Sequence, residues 1–449
     1  MSSSFIDLGV PAVLATRLAE LEILEPYPIQ AAALPEALQG LDICAQSPTG
    51  SGKTLAFALP IAARVSRAQP RRPRALVLAP TRELAAQIAK ELGPLAAVMG
   101  RRVATYYGGV GFKEQLSSLA RGTDIAVGCP GRMIDLLERR SLDLSEVEIV
   151  VIDEADRMAD MGFLPPVRRL LGEIRGAHQT MLFSATLAGD VQRLIRDYQK
   201  SPRRHVLDAA TDDIGSRSHE FWRASREDRA TLTARLVTPY YSSIVFCRTK
   251  RGVDRLTRQL GQAGLIAVPI HGDRSQAQRD RALAQFRDRS AQVLVGTDVA
   301  ARGIHVDEVD CVVHYDPPED EDTYIHRSGR TGRAGLAGRV VSLVTSEQET
   351  ASKKLRQRLN LATSLIDAPP ADPSARAPQR PVQAVAPRHQ GPAPSHSAAP
   401  YSGGAPGPRS AASRRRRRGP APVGRVGAAT ARPRQNSSPR GGGGRGQGR

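Results

Sequence analysis

Short apolar runs rich in β-branched residues alternate with amphipathic segments along most of the chain, and the alternation is run through twice. In the first pass residues 75–78, 103–106, 125–127, 149–152 and 181–183 read as buried strands, separated by segments such as 83–92 whose apolar residues recur at helical spacing. In the second pass residues 244–246, 267–270, 293–295, 311–313 and 340–344 repeat the scheme. Runs that stay apolar at consecutive positions belong to strands covered on both faces, as in parallel sheets. The pattern predicts an α/β fold of two tandem domains, each a mostly parallel sheet flanked by helices. The expected boundaries are 1–207 and 217–365, joined by a polar linker at 208–216.

Residues 366–449 differ in composition. Pro, Ala, Gly and Ser dominate, and from Asp367 onward there are fifteen Arg against two Asp, so about +13 of the formal +19 lies there. With almost no aliphatic material to offset ordering entropy, this tail is expected to be disordered. Its five consecutive arginines at 414–418 and its closing Arg/Gly repeats suit an electrostatic tether for nucleic acid more than a solubilising appendage.

Two stretches carry the candidate chemistry. Ser47-Pro48-Thr49-Gly50-Ser51-Gly52-Lys53-Thr54 is a glycine-rich turn whose backbone N–H groups, ammonium and hydroxyl suit phosphates and Mg²⁺. About a hundred residues later the apolar run ending at Ile152 is followed by Asp153-Glu154-Ala155-Asp156, carboxylates placed where parallel sheets bind their ligands. Either motif alone is commonplace. Together they supply a lysine for the β/γ-phosphates, a hydroxyl and an acid for the metal, and a carboxylate to orient water, which predicts a nucleoside triphosphatase. The second half lacks a phosphate loop but carries His326-Arg327-Ser328-Gly329-Arg330-Thr331-Gly332-Arg333, with arginines spaced to clamp a γ-phosphate. If they reach a nucleotide on the first domain, hydrolysis requires the two domains to close.

Other classes are set aside. No run approaches the roughly 20 apolar residues of a membrane span, and the N-terminus lacks the basic and apolar regions of a secretory signal, so a soluble, non-secreted protein is expected. Cys44, Cys129, Cys247 and Cys311 form no C-x-x-C pair and the nine histidines no ligand-spaced cluster, which suits a reducing compartment without a structural metal. Lysine is scarce beside arginine, a bias that favours a bacterial cytoplasm.

On these motifs the chain resembles the DEAD-box ATP-dependent RNA helicases, from about Phe5 to Val344. The resemblance implies two RecA-like domains, ATP as substrate, Mg²⁺ as its metal, RNA held by its backbone without sequence specificity, and a cytoplasmic monomer. Gln30 with upstream Phe5 resembles the family's Q motif, whose glutamine reads adenine. Thr49, Gly50, Ser51, Gly52, Lys53 and Thr54 fall on the phosphate loop, and Gly303 on a nucleotide-contacting loop. Thr54 and Asp153 are implied to hold Mg²⁺, largely through water, and Glu154 to orient the attacking water. Lys53, Asp153, Glu154 and the finger arginines Arg330 and Arg333 form the implied catalytic set. Ser184-Ala185-Thr186 matches the motif coupling hydrolysis to strand separation, and His326 is implied to lie near Asp156 in the closed state.

The implied RNA loops are Pro80-Thr81-Arg82, Gly108-Gly109 and Pro130-Gly131-Arg132 in the first domain, with Arg248, Gln276, Arg279 and Thr297 in the second. These backbone amides, hydroxyls and arginines suit phosphate and 2′-OH contacts and carry no base code. The implied activity is RNA-stimulated ATP hydrolysis coupled to local unwinding of short duplexes or remodelling of RNA–protein complexes. An ATP-gated RNA clamp with little unwinding and a DNA-directed helicase are the alternatives. Four positions depart from the family pattern: Cys129 replaces Thr, Ser47-Pro48 replaces Ala and a polar residue, Ile23 replaces an adenine-stacking aromatic, and His305 replaces a ribose-binding Asp. The last two predict weakened nucleoside recognition with intact phosphate chemistry.

Overall fold

The computed structural model describes residues 4–47, 50–207, 217–298, 309–332, 338–361 and 363–370. Pro48, Thr49, the linker 208–216, the loop with Gly303 and His305, Arg333 and the tail from 371 lie outside the described residues.

Two sheets of seven strands form the framework, and every pairing between strands is parallel. The first is built from β1 (Ile43–Gln46), β2 (Ala75–Leu78), β3 (Val103–Tyr106), β4 (Ile125–Gly128), β5 (Ile149–Ile152), β6 (Gln179–Ser184) and β7 (Arg203–Val206). The second is built from β8 (Arg217–Arg223), β9 (Ser243–Phe246), β10 (Ala267–Ile270), β11 (Val293–Gly296), β12 (Cys311–His314), β13 (Gly338–Val344) and β14 (Leu365–Asp367). The spatial orders are β3-β4-β2-β5-β6-β1-β7 and β10-β11-β9-β12-β13-β8-β14, the same order displaced by seven strands. The chain therefore holds one topology twice.

Strand residues alternate between two cores. In β5, Ile149 and Val151 pack into one cluster while Val150 and Ile152 pack into another on the opposite face, and β2 divides its residues in the same way. In the second sheet Ile244 and Phe246 face one cluster and Val245 the other. Helices cover both faces, which is why these strands read as unbroken apolar runs. β14 carries the folded part to Asp367, so the tail boundary expected after 365 falls inside a strand. No helix among the described residues is long and apolar enough to cross a membrane.

The shared order sorts the motifs. In the first half β5, β6 and β1 are neighbours, and their C-terminal ends lead into Asp153–Asp156, Ser184–Thr186 and the phosphate loop. The other trio, β3, β4 and β2, leads into Gly108-Gly109, Pro130-Gly131-Arg132 and Pro80-Thr81-Arg82. In the second half the matching trio β10, β11 and β9 leads into the helix Gln276–Arg287, Thr297 and Arg248. The trio matching the nucleotide motifs ends differently there. The helix after β8 starts at Arg229, where its counterpart after β1 starts at Lys53, and Arg229 is paired with Asp316 at 2.8 Å. An ion pair thus fills the place that phosphate chemistry occupies in the first half.

Candidate nucleotide and RNA site

The helix Lys53–Arg64 begins beneath the phosphate loop, and its N-cap Gly52 has φ +85°, a conformation open to glycine at little cost. A side chain there would also collide with Gln30 and Tyr27, since a Cβ would lie 2.5 Å from the Gln30 amide nitrogen and 2.9 Å from the Tyr27 ring. Buried Lys53 donates from Nζ to the Ser47 carbonyl at 2.8 Å, and the Ser47 and Ser51 hydroxyls are 2.9 Å apart. The Ser47 N–H donates to the Ser184 carbonyl at 3.0 Å, tying this loop to the end of β6. A cavity of about 200 Å³ opens here, lined by Tyr27, Gln30, Gly52, Lys53, Thr54, Gln87, Glu91 and the Asp153-Glu154 pair.

Glu154 adopts φ 51° as the N-cap of the short helix Ala155–Asp160. A non-glycine residue held in this region costs on the order of 1–3 kcal/mol and is found where function over-determines the backbone. Asp153 is buried, and one of its oxygens accepts the Glu154 N–H at 3.0 Å. Glu154 lines the cavity, and its Oε2 is buried without a protein hydrogen-bond partner. The donor set of one hydroxyl and hard carboxylate oxygens fits Mg²⁺, which takes few protein ligands and keeps waters and phosphates for the rest.

Asp156 is joined to the Ser184-Ala185 segment by two hydrogen bonds. The Asp156 N–H donates to Ser184 Oγ at 3.2 Å, and the Ala185 N–H donates to Asp156 Oδ2 at 3.1 Å. Gln30 is fully buried and uses both amide atoms: Oε1 accepts the Tyr27 N–H at 2.9 Å and Nε2 donates to the Gly52 carbonyl at 2.8 Å. Phe5, expected at the nucleotide, is instead buried in the apolar core of the first half, because its ring finds more area there than in a polar cavity. His326 lies in the last turn of the helix Glu321–Ser328, and Arg330, just beyond it, is buried. The cavity's described lining comes from the first half alone.

Among the RNA-loop residues, Thr81 caps the helix Arg82–Val98 by accepting the Leu84 N–H at 3.2 Å, an interaction worth about 1 kcal/mol. The Arg82 guanidinium lies against Gly108 and Gly109, so that a Cβ at Gly109 would fall 2.1 Å from it. The segments that follow β2 and β3, two strands separated by β4, are thereby brought together, and φ +85° at Gly109 adds a second demand for glycine. Pro130 opens the helix Pro130–Glu138 and Gly131 is exposed with open space above it. Arg132 turns inward, donating to Gln115 Oε1 at 2.8 Å and lying 4.0 Å over the Phe112 ring. Cys129 offers no cap to that helix, and burial, with the Glu83 carboxylate nearby, pushes its thiol up to about 12. It is a neutral thiol at neutral pH.

Arg248 is exposed, while Thr297 is buried. Gln276 and Arg279 do not face solvent. Arg279 pairs with Glu83 at 2.8 Å, both side chains under a tenth exposed, and Gln276 donates to the same carboxylate at 3.1 Å. Glu83 lies in the first turn of the helix Arg82–Val98 that follows β2, so this contact links the two halves directly. Arg327, grouped by the sequence with the arginines spaced to clamp a γ-phosphate, grips Asp298 with two hydrogen bonds of 2.6 Å and fixes the residue following Thr297 to the helix that precedes Arg330. Removing one partner of a buried ion pair leaves a stranded charge at a cost of about 3–5 kcal/mol. Glu83→Ala is therefore expected to loosen the two halves, read as a larger radius of gyration by small-angle scattering. The double variant Glu83→Leu/Arg279→Leu should recover compactness. Unchanged scattering from Glu83→Ala would show that the pair does not hold the halves together.

Duplicated seven-stranded parallel sheets, one with a phosphate loop facing an Asp-Glu pair, define a tandem RecA-like nucleotide-binding protein of the helicase type. The family models agree: DEAD/DEAH box helicase matches residues 27–194 and Helicase conserved C-terminal domain matches residues 229–335. The chain is 37% identical over 83% of its length to the DEAD-box ATP-dependent RNA helicase CshA of Bacillus licheniformis, covering 77% of that protein. It is 39% identical over 81% of its length to DEAD-box ATP-dependent RNA helicase 30 of Arabidopsis thaliana, of which it spans 63%. Among solved structures, S. cerevisiae Dbp5 bound to RNA and ADP BeF3 superposes with a TM-score of 0.73 at 29% identity, covering 81% of this chain and 96% of that one. The chain belongs to the DEAD-box ATP-dependent RNA helicase family.

Proposed function

We propose that this protein hydrolyses ATP when RNA is bound across both halves, and uses the cycle to separate short RNA duplexes locally or remodel RNA–protein complexes. In this reading Lys53 holds the β/γ-phosphates, Thr54 and Asp153 hold Mg²⁺ largely through water, and Glu154 orients the attacking water. The metal, when bound, would neutralise charge developing on the phosphates. Arg330 and Arg333 complete the site from the second half, with His326 drawn toward Asp156. Ser184 and Thr186 relay the nucleotide state toward the strand. Pro80, Thr81, Arg82, Gly109, Pro130, Gly131, Arg132, Arg248 and Thr297 form the RNA track, and Gln276 and Arg279 brace it through Glu83.

The observation that carries this reading is the sorting of motifs by strand. Nucleotide motifs leave β5, β6 and β1, and the RNA loops leave the matching trios of both halves, joined at Glu83 and Arg279. Domain limits near 207 and 217, a monomeric state, a cytoplasmic location and an RNA-tethering tail complete the proposal. The test follows ATP turnover and strand separation together on one short RNA duplex, beside a DNA duplex of equal length. RNA should stimulate turnover and be separated only with ATP present, and DNA should do neither. Removing 371–449 should raise the RNA concentration for half-stimulation without lowering the maximal rate. Slow turnover without separation would identify a clamp, and equal stimulation by DNA would overturn the RNA assignment.

A further inference from the structure

Ile23 sits where the family resemblance implies an aromatic against adenine, and the structure packs it, half-buried, against the core of the first half. It does not border the nucleotide cavity. Another aromatic does. Tyr27 lines that cavity, is 57% exposed, and places its ring edge against the backbone of Gly52.

Its setting is stiff. The sequence Pro26-Tyr27-Pro28 has a proline on each side, and a following proline confines the residue before it to extended backbone. Tyr27 has φ −67° and ψ 158° and precedes the helix Pro28–Leu38 as its N-cap. Its N–H is held by Gln30 Oε1 at 2.9 Å, so the aromatic and the glutamine implied to read adenine are fixed to each other one turn apart. Gln30 Nε2 then reaches the Gly52 carbonyl at 2.8 Å, which joins both residues to the phosphate loop. A solvent-facing ring on a backbone restrained by two prolines offers a base a π-face to stack on, with the Gln30 amide one turn away.

We infer that Tyr27 is the base-stacking residue of this nucleotide site, taking over from position 27 the contact that Ile23 cannot make. The inference rests on the nucleotide reading of the cavity. It also revises the expectation of weak nucleoside recognition, because the aromatic is displaced along the chain and not lost.

The experiment measures, by titration calorimetry with Mg²⁺, the affinities of ATP and of inorganic tripolyphosphate, which has no base, for the full-length protein and its variants. Tyr27→Ala should weaken ATP roughly ten-fold or more, the scale of a lost base stack, and change tripolyphosphate by less than two-fold. Tyr27→Phe should behave as wild type toward both ligands. In turnover, Tyr27→Ala should raise KM for ATP far more than it lowers kcat. Equal weakening of both ligands would overturn the proposal by showing that the ring only supports the loop. Unchanged or tighter ATP binding would overturn it by showing that the ring does not meet the base. If Lys53→Ala fails to weaken either ligand, the cavity itself is misread, an outcome separate from the fate of Tyr27.

Discussion

Glu154→Gln is expected to retain ATP and RNA binding while turnover falls about 10²- to 10⁴-fold, the scale of losing a positioned proton acceptor. The substitution keeps size and shape, so the φ 51° turn and the helix it starts should survive. What it removes is the carboxylate, one oxygen of which is buried in this protein without a hydrogen-bond partner beside the phosphate loop. A buried acceptor left unsatisfied is costly unless water or a ligand completes it. In the proposed reading Glu154 orients the attacking water. Equilibrium binding and single-turnover hydrolysis on the same variant check the point. Near-wild-type hydrolysis would remove Glu154 from the reaction.

Much of this architecture was legible because its strands are covered on both faces, and doubly buried strands announce themselves as unbroken apolar runs. Four strands escaped for physical reasons. β1 has a single β-branched residue, and β7, Arg203-Arg204-His205-Val206, is an edge strand paired only with β1, where charge blunts association. β8 is mostly polar, and β14 has three residues. Without them the identity of the two strand orders could not be seen. The helix after Thr81 was also underestimated: Gly93 and Pro94 look like a stop, yet it continues to Val98 because Leu95 and Ala96 are buried beyond them.

The phosphate loop and the Asp-Glu pair were visible because their chemistry needs contiguous residues. Glu83 was not, since its partners Gln276 and Arg279 lie in the other half, nearly two hundred positions away, and only the fold brings them together. An acid directly after Pro80-Thr81-Arg82, a run otherwise suited to RNA phosphates, was the available signal. Phe5 shows the opposite limit, a residue marked for the nucleotide by its motif and claimed by the core. Tyr27 stood beside Gln30 in the sequence, but its exposure to the cavity is a fact of packing.

The central claim is that two halves act on one nucleotide, and the most direct measurement is RNA-stimulated ATP turnover by Arg330→Ala. Arg330 follows the helix Glu321–Ser328 in the second half, whereas the described cavity lining belongs to the first. A planar guanidinium delivered at the transition state is worth about 10³-fold or more, and lysine cannot reproduce its fork. Turnover should therefore fall by about that factor in Arg330→Ala and substantially in Arg330→Lys, with thermal melting reporting that both variants are folded. ATP affinity in the absence of RNA should change little. Turnover within two-fold of wild type in a folded Arg330→Ala protein would contradict the account, because the first half would then be hydrolysing ATP without the second.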